Sequence, residues 1–189
     1  MEIREIPGNL KDFEKWTKTI KNTGIVIVAK SSELLPVVKY NSNGIDCRAD
    51  LSEGIPFRDK NNREYVREGL REYLFTYERA LVSLGIRVYM PQDCYMDVRP
   101  RSGLAWKYGI TVLNSPGFVD NDCRDTVKAL LINLSLEEFE INHGDRICQV
   151  VFSKDYPVYM GVNAEIFGRF EEFFPSGRGK RGFGSSGVK

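Results

Sequence analysis

Apolar positions recur along this chain with two periods. Leu10, Phe13, Trp16 and Ile20 fall three to four residues apart with charged residues between them, the pattern of a short amphipathic helix near the N-terminus. From residue 24 the period shortens. Residues 24–30 form a β-branched run that predicts a buried strand, and residues 80–90 hold two apolar stretches divided by Ser83 and Gly85. Residues 93–99 alternate Cys94, Met96 and Val98 with polar side chains, the period of a half-buried strand. Residues 126–134 and 147–152 are further apolar strands. Pro91, Pro100, Gly103, Gly109, Pro116-Gly117 and Gly144 punctuate the junctions. Short, regularly spaced strands with such turns predict an all-β fold of the distorted jelly-roll or barrel kind.

One stretch departs from that period. Within residues 62–77, Val66, Leu70, Tyr73 and Tyr77 share one helical face, and Glu64–Arg67 and Glu68–Arg71 make i,i+3 pairs. The expectation is a helical insertion at about residues 58–76, with Gly69 as its weak position. The organisation that follows is an N-terminal extension over residues 1–22, a β domain over 23–175 and a flexible Gly-rich segment over 176–189.

Charge and cysteine usage narrow the function classes. Lysine and arginine number 27 against 26 acidic residues, a net charge of +1, which leaves no broad electrostatic footprint for nucleic acid or an anionic membrane. Cys47, Cys94, Cys123 and Cys148 are scattered without a Cys-x-x-Cys pair, and His143 is the one histidine, which argues against zinc. No apolar run is long enough to cross a bilayer, and the N-terminal residues carry charges where a signal core would stand. A cytoplasmic location with free thiols is expected.

Candidate chemistry sits in the punctuated segments. Pro100-Arg101-Ser102-Gly103-Leu104-Ala105 follows a strand with an arginine, a hydroxyl and a glycine, suited to phosphate and equally to a plain turn. Residues 114–124 place Asp120 and Asp122 on a turn, as turn formers or as a carboxylate base beside a substrate. The last thirteen residues, from Gly177, hold cations, hydroxyls, five glycines and Phe183. They fit a disordered basic tail or a lid ordering over an anionic, ring-containing ligand.

In order, the chain carries Gly44-Ile45-Asp46, then the Pro-Arg-Ser-Gly-Leu-Ala segment, then Gly117-Phe118-Val119-Asp120-Asn121-Asp122, then Gly144-Asp145-Arg146-Ile147-Cys148-Gln149, then Arg178-Gly179 and Gly182-Phe183-Gly184-Ser185-Ser186-Gly187. This series resembles the five motifs of the trimeric dUTPase family, over roughly residues 24–187. The resemblance implies hydrolysis of dUTP to dUMP and pyrophosphate with Mg2+, by a C3 homotrimer with shared active sites. It makes Asp120 the residue that activates the attacking water and Asp46 a metal contact through water. It gives Arg101, Ser102 and Gly103 to the phosphates, Asn114, Gly117, Phe118 and Val119 to uracil, and Gln149 to the phosphates and water. Asp122, Cys123 and Lys128 join the substrate-binding set. In the tail, Arg178 would grip the γ-phosphate, Phe183 would stack on uracil, and Gly184, Ser185 and Ser186 would complete a closing lid.

The chain departs from the family pattern at three positions. Cys123 stands where a tyrosine packs on deoxyribose, Asp125 where glycine is usual, and Arg181 at the first glycine of the tail motif. Two other readings compete. A dCTP deaminase relative lacks support, because Leu130 occupies the position of the deaminase glutamate. A weakly catalytic nucleotide-sensing relative is kept alive by Cys123 and Asp125. An RNA-binding tail fails on Phe183 being its single aromatic ring.

Overall fold

The computed structural model describes residues 3–20, 22–39, 42–154 and 156–177. The expected tail contacts at Arg178, Phe183, Gly184, Ser185 and Ser186 lie outside the described residues. In chain order the elements begin with β1 (Ile3–Glu5), α1 (Leu10–Ile20), β2 (Ile25–Ala29), β3 (Val37–Val38), β4 (Ile45–Arg48) and β5 (Ile55–Arg58). They continue with β6 (Glu64–Arg67), β7 (Arg71–Leu74), β8 (Arg79–Ser83), β9 (Ile86–Tyr89), β10 (Met96–Pro100) and α2 (Ser102–Tyr108). The remainder is β11 (Ile110–Val112), β12 (Gly117–Val119), β13 (Lys128–Asn133), β14 (Phe139–Asn142), β15 (Arg146–Phe152), β16 (Val158–Val162), α3 (Ala164–Gly168) and α4 (Phe170–Phe173).

Strands dominate, as the short alternating segments require. One five-stranded antiparallel sheet runs β12-β10-β15-β4-β3 and a second runs β11-β13-β8-β5-β6. A four-stranded sheet, β1-β16-β2-β9, is parallel except for the β2–β9 pair. Inward residues of the three sheets, among them Ile45, Phe57, Val82, Met96, Leu131 and Val150, make one continuous core. The fold is all-β and jelly-roll-like.

β2 shows why its sequence does not alternate. Ile25, Ile27 and Ala29 face the main core, whereas Val26 and Val28 face a second cluster built from α1, α3 and α4. A strand covered on both faces reads as an unbroken apolar run. In that second cluster Phe13 of α1 is fully buried, with its ring 5.2 Å from Phe173 and 6.1 Å from Phe174. Burying such a ring contributes about 2–3 kcal/mol. α1 begins where Asn9 accepts the Asp12 N–H at 2.9 Å and donates to the Asp12 carboxylate at 2.7 Å, a side-chain cap at each of two groups. β1 pairs in parallel with β16, so residues 3–20 are part of the packed body.

The expected helix at residues 62–77 is corrected to β6 and β7, which flank a turn at residues 68–70. β6 pairs with β5, and β7 pairs with β14. Val66 and Leu70, which carried the helical reading, are 60% and 63% exposed. The inward positions are instead Tyr65 and Arg67 on β6 and Glu72 and Leu74 on β7, at a spacing of two. Arg67 lies over the Phe57, Tyr65 and Phe75 rings at 4.4–5.1 Å and pairs through both terminal nitrogens with Glu78. The segment therefore turns Arg67 and Glu72 inward beside Tyr65 and Leu74 and leaves Val66 and Leu70 exposed, a departure from the usual code.

Candidate active site

Strand β10 organises the site residues, and they collect at its two ends. At its C-terminal end β10 runs into α2 through Arg101, so Ser102 and Gly103 open the helix. The first amides of a helix lack partners within it, and a Cβ built on Gly103 meets nothing within 4 Å. Arg101 points back onto the sheet. Its Nη1 donates to the Arg146 carbonyl at 2.7 Å, and its Nε lies 3.3 Å from Asp46 Oδ1. Arg146 Nη1 donates to Asp46 Oδ2 at 3.2 Å, with Lys39 Nζ 3.6 Å from the same oxygen. Asp46, 7% exposed, is thus held by three cations from three segments.

Register explains that convergence. Gln149 of β15 stands opposite Arg99 of β10 on one side and Asp46 of β4 on the other. Gln149 Nε2 donates to the Pro100 carbonyl at 2.9 Å. Gly44 makes room for it, since a Cβ there would fall 2.3 Å from Gln149 Oε1. On the opposite face of the sheet Cys47 and Cys148 are paired and fully buried. Their mutual hydrogen bond, then burial, pushes the Cys148 thiol well above the usual range.

The other end of β10 faces the loop after β12. Gly117 pairs with Val98 and Val119 with Met96, which carries Asp120 to the level of Tyr95. The Asn114 amide lies against Gly117, 3.3–3.4 Å from where a Cβ would be. Phe118 is 59% exposed, and its ring packs at a 32° tilt against Tyr95, 4.7 Å between centroids, on the outward face. The Cys123 N–H donates to the Asp120 carbonyl at 3.1 Å, closing a turn that holds Asp120, Asn121, Asp122 and Cys123 half-buried. The Asn121 side chain donates to the Gln92 carbonyl.

Within one chain the two groups do not meet. Tyr95 and Arg101 are six residues apart along extended backbone, about 20 Å at ~3.3 Å per residue. Asp46, Arg101, Ser102, Gly103 and Gln149 gather at one end, Asp120, Asp122 and Cys123 at the other, with Asn114, Gly117, Phe118 and Val119 along the edge between them. Lys128 belongs to neither end. It starts β13 in the second sheet, 3.5 Å from Asp125, and lines a separate cleft of about 240 Å³ with Lys30, Asp50 and Glu53.

Two residues at the loop end escaped sequence reasoning. Tyr95 had a signal: the inward alternation of Cys94, Met96 and Val98 leaves an aromatic ring on the polar face. Arg124 had none. It lies inside the motif segment, yet only the tertiary structure shows it 6% exposed and aimed at the far end of the chain.

The donor set bears on a metal. Among the described residues no three His, Cys, Asp or Glu side chains converge as a metal cage. Both Asp46 oxygens already face cations. Such a donor set suits at most a hard cation that brings its own phosphate oxygens and needs few ligands from the chain. Among the described residues no helix is long and apolar enough to cross a membrane.

Comparison with known proteins identifies the family and the fold. The dUTPase family profile matches residues 70–187. The chain is similar to the deoxyuridine 5'-triphosphate nucleotidohydrolase of Cytophaga hutchinsonii, 38% identical over 171 residues, 90% of this chain and 96% of that protein. It is 48% identical to the enzyme of the same name from Neorickettsia sennetsu over 160 residues, 85% of this chain and 91% of that one. In fold it is similar to the dUTPase of Streptococcus mutans, with a TM-score of 0.53 at 20% identity over 70% of this chain and 95% of that one. The dUTPase of phage phi11 of S. aureus also gives 0.53, at 15% identity over 70% and 90% of the two chains.

Proposed function

This chain belongs to the dUTPase family, and from that premise we propose that it hydrolyses dUTP to dUMP and pyrophosphate at sites completed between copies of itself. One observation carries the second half of the proposal. Asp120 and Ser102 stand at opposite ends of β10, about 20 Å apart on the strand rise. A base and a phosphate loop serving one α-phosphorus must lie within a few ångströms of each other. A neighbouring copy supplies the missing end, and a C3 homotrimer closes such head-to-tail contacts.

The chemistry then divides between the two ends. Asp120 accepts a hydrogen bond from water, orients it toward the α-phosphorus and takes its proton as the P–O bond forms. At the partner's opposite end, the Ser102 hydroxyl and the opening amides of α2 donate to the bridging oxygen, where charge develops as pyrophosphate leaves. Arg101, fixed by Asp46 and the Arg146 carbonyl, adds positive potential, and Gln149 is held close by its bond to Pro100. Asn114 and the exposed backbone of β12 read the edge of uracil, while Asp122 and Cys123 line the sugar side. A divalent cation brought in with the triphosphate, Mg2+ in this reading, would be held by Asp46 through water and would supply neutralisation of phosphate charge. We assign the Gly-rich tail, with Arg178, Phe183, Gly184, Ser185 and Ser186, to closing the site, and place the enzyme in the cytoplasm.

A nucleotide panel tests the reading. Purified protein with Mg2+ is given dUTP, UTP, dCTP and dTTP, and pyrophosphate and ammonia are measured. Pyrophosphate from dUTP, with little from the others and no ammonia, is the expected result. Binding of dUTP without turnover would favour a nucleotide sensor, and ammonia from dCTP would make the chain a deaminase.

A further inference from the structure

The Asp120 loop has little regular structure to hold it, yet one buried side chain grips it from behind. Arg124 donates from Nη1 to the Asn121 carbonyl at 2.6 Å and to the Cys123 carbonyl at 2.9 Å. From Nε it donates to the Phe174 carbonyl at 2.6 Å, fifty residues further along the chain. Its guanidinium lies over the Tyr89 ring at 5.4 Å, and Tyr89 itself stacks on Phe174 at 4.4 Å. Phe174 packs in turn on Phe170 at 5.0 Å and edge-on to Phe13 at 6.1 Å. The contact chain therefore runs from the loop through Arg124 to α1 and α4.

We infer that Arg124 is a positioning residue: it ties the Asp120 loop to the packed terminal helices and thereby sets where the Asp120 carboxylate stands. The inference rests on the proposed role of Asp120. It explains why a guanidinium is kept in a place that costs solvation, where burial pulls its pKa down. The Arg124 hydrogen bonds just described run to three neutral carbonyls, so the fork of donors is used for geometry. The Asp120 carbonyl accepts from Cys123 N–H, and of the two loop carbonyls that Arg124 holds, Asn121's lies inside that turn and Cys123's at its last residue. Fixing both of them fixes the turn that carries the Asp120 side chain. A lysine in the same place has a single ammonium on a flexible stem and cannot span the same three acceptors.

The test compares Arg124→Lys, Arg124→Ala and Asp120→Asn with the native enzyme, using kcat and KM for dUTP with Mg2+ and the melting temperature. Arg124→Lys is expected to melt close to the native protein and keep KM within about threefold, while kcat falls about 10- to 100-fold from misplacement of the loop. Millimolar guanidinium ion added to Arg124→Ala is expected to restore part of kcat by occupying the vacated cradle. Native kcat in Arg124→Lys overturns the inference. So does a kcat loss that follows the loss of stability and does not respond to guanidinium. Where Arg124→Ala fails to fold, Arg124→Lys alone carries the decision. If Asp120→Asn turns over normally while Arg124→Lys loses kcat, the base assignment falls and the tether stands. If Asp120→Asn is inactive and Arg124→Lys is native, the reverse holds.

Discussion

The two ends of β10 are built by different means. At the end proposed for phosphate, three adjacent strands, β10, β15 and β4, put Arg99, Gln149 and Asp46 in register, and the side chains of Arg101 and Arg146 close on Asp46 beside them. At the loop end the sheet has run out. Asp120 sits on a turn whose shape depends on its own closing bond and on Arg124, which draws on helices packed fifty residues away. In the proposed reaction the first end meets a triphosphate with cations already in position, and the second offers a carboxylate to a neighbouring copy from a half-buried turn at a sheet edge. The cost is that the loop end relies on side-chain bonds, among them those of Arg124 and Asn121, where the opposite end relies on a sheet.

Mixing two inactive variants tests the division most sharply. Asp120→Asn and Ser102→Ala are each expected to lose about 10²- to 10⁴-fold in kcat. Chains co-expressed in equal amounts should recover about a quarter of native activity, since in a head-to-tail trimer that fraction of sites draws Ser102 from one variant and Asp120 from the other. No recovery from verified mixed trimers would mean that both ends act within one chain.

The ends should also differ in what a lost carboxylate does to stability. Asp46→Ala leaves Arg101 and Arg146 facing each other without their acid, and the fold is expected to lose about 2 kcal/mol. Asp120→Asn should melt within about 2 °C of native, as a half-buried isosteric change does. Equal melting shifts in calorimetry would erase the contrast. A smaller effect is expected at Gly44→Ala, whose new methyl meets the end of the Gln149 side chain. Displacing a flexible amide costs little stability, so kcat/KM should fall about fivefold with the melting temperature nearly unchanged. A drop in stability without a drop in kcat/KM would show that Gln149 does not serve the site.

The smallest effect concerns the support of the loop end. Hydrogen bonds from Lys154 and then Tyr156 hold the Asp93 carboxyl below the usual carboxylate range. A carboxyl depressed in the folded state contributes stability above its unfolded pKa, near 3.8, and loses it as pH falls through the folded value. Asp93→Asn should therefore melt slightly below the native protein at neutral pH, and the gap should close under acid. A gap that widens as pH falls would reverse the sign and remove the pair from the account.

Much of this was legible in the sequence, in the places where local rules apply. α1 followed from the spacing of Leu10, Phe13, Trp16 and Ile20, and β2, β10, β13 and β15 from their apolar periods. The β6–β7 segment was misread because Arg67 and Glu72 occupy inward positions while Val66 and Leu70 are exposed. Arginine satisfies an aromatic core with its plane and an acid with its edge, so polarity ceased to report direction.

By itself the sequence determined the chemical inventory: which arginines, hydroxyls, carboxylates and glycines stand in the punctuated segments, in what order, and on strands or turns. Those properties are local, set by side-chain type and by neighbours a few positions away. Only the tertiary structure decided who meets whom. Strand register placed Asp46 beside Gln149 and Arg101, and the same register carried Asp120 about 20 Å away from Ser102 at the fixed rise of a strand. It also brought Phe174 to Arg124. A contact between residues fifty positions apart leaves no periodicity to read, because it depends on how distant segments pack and not on near neighbours in sequence.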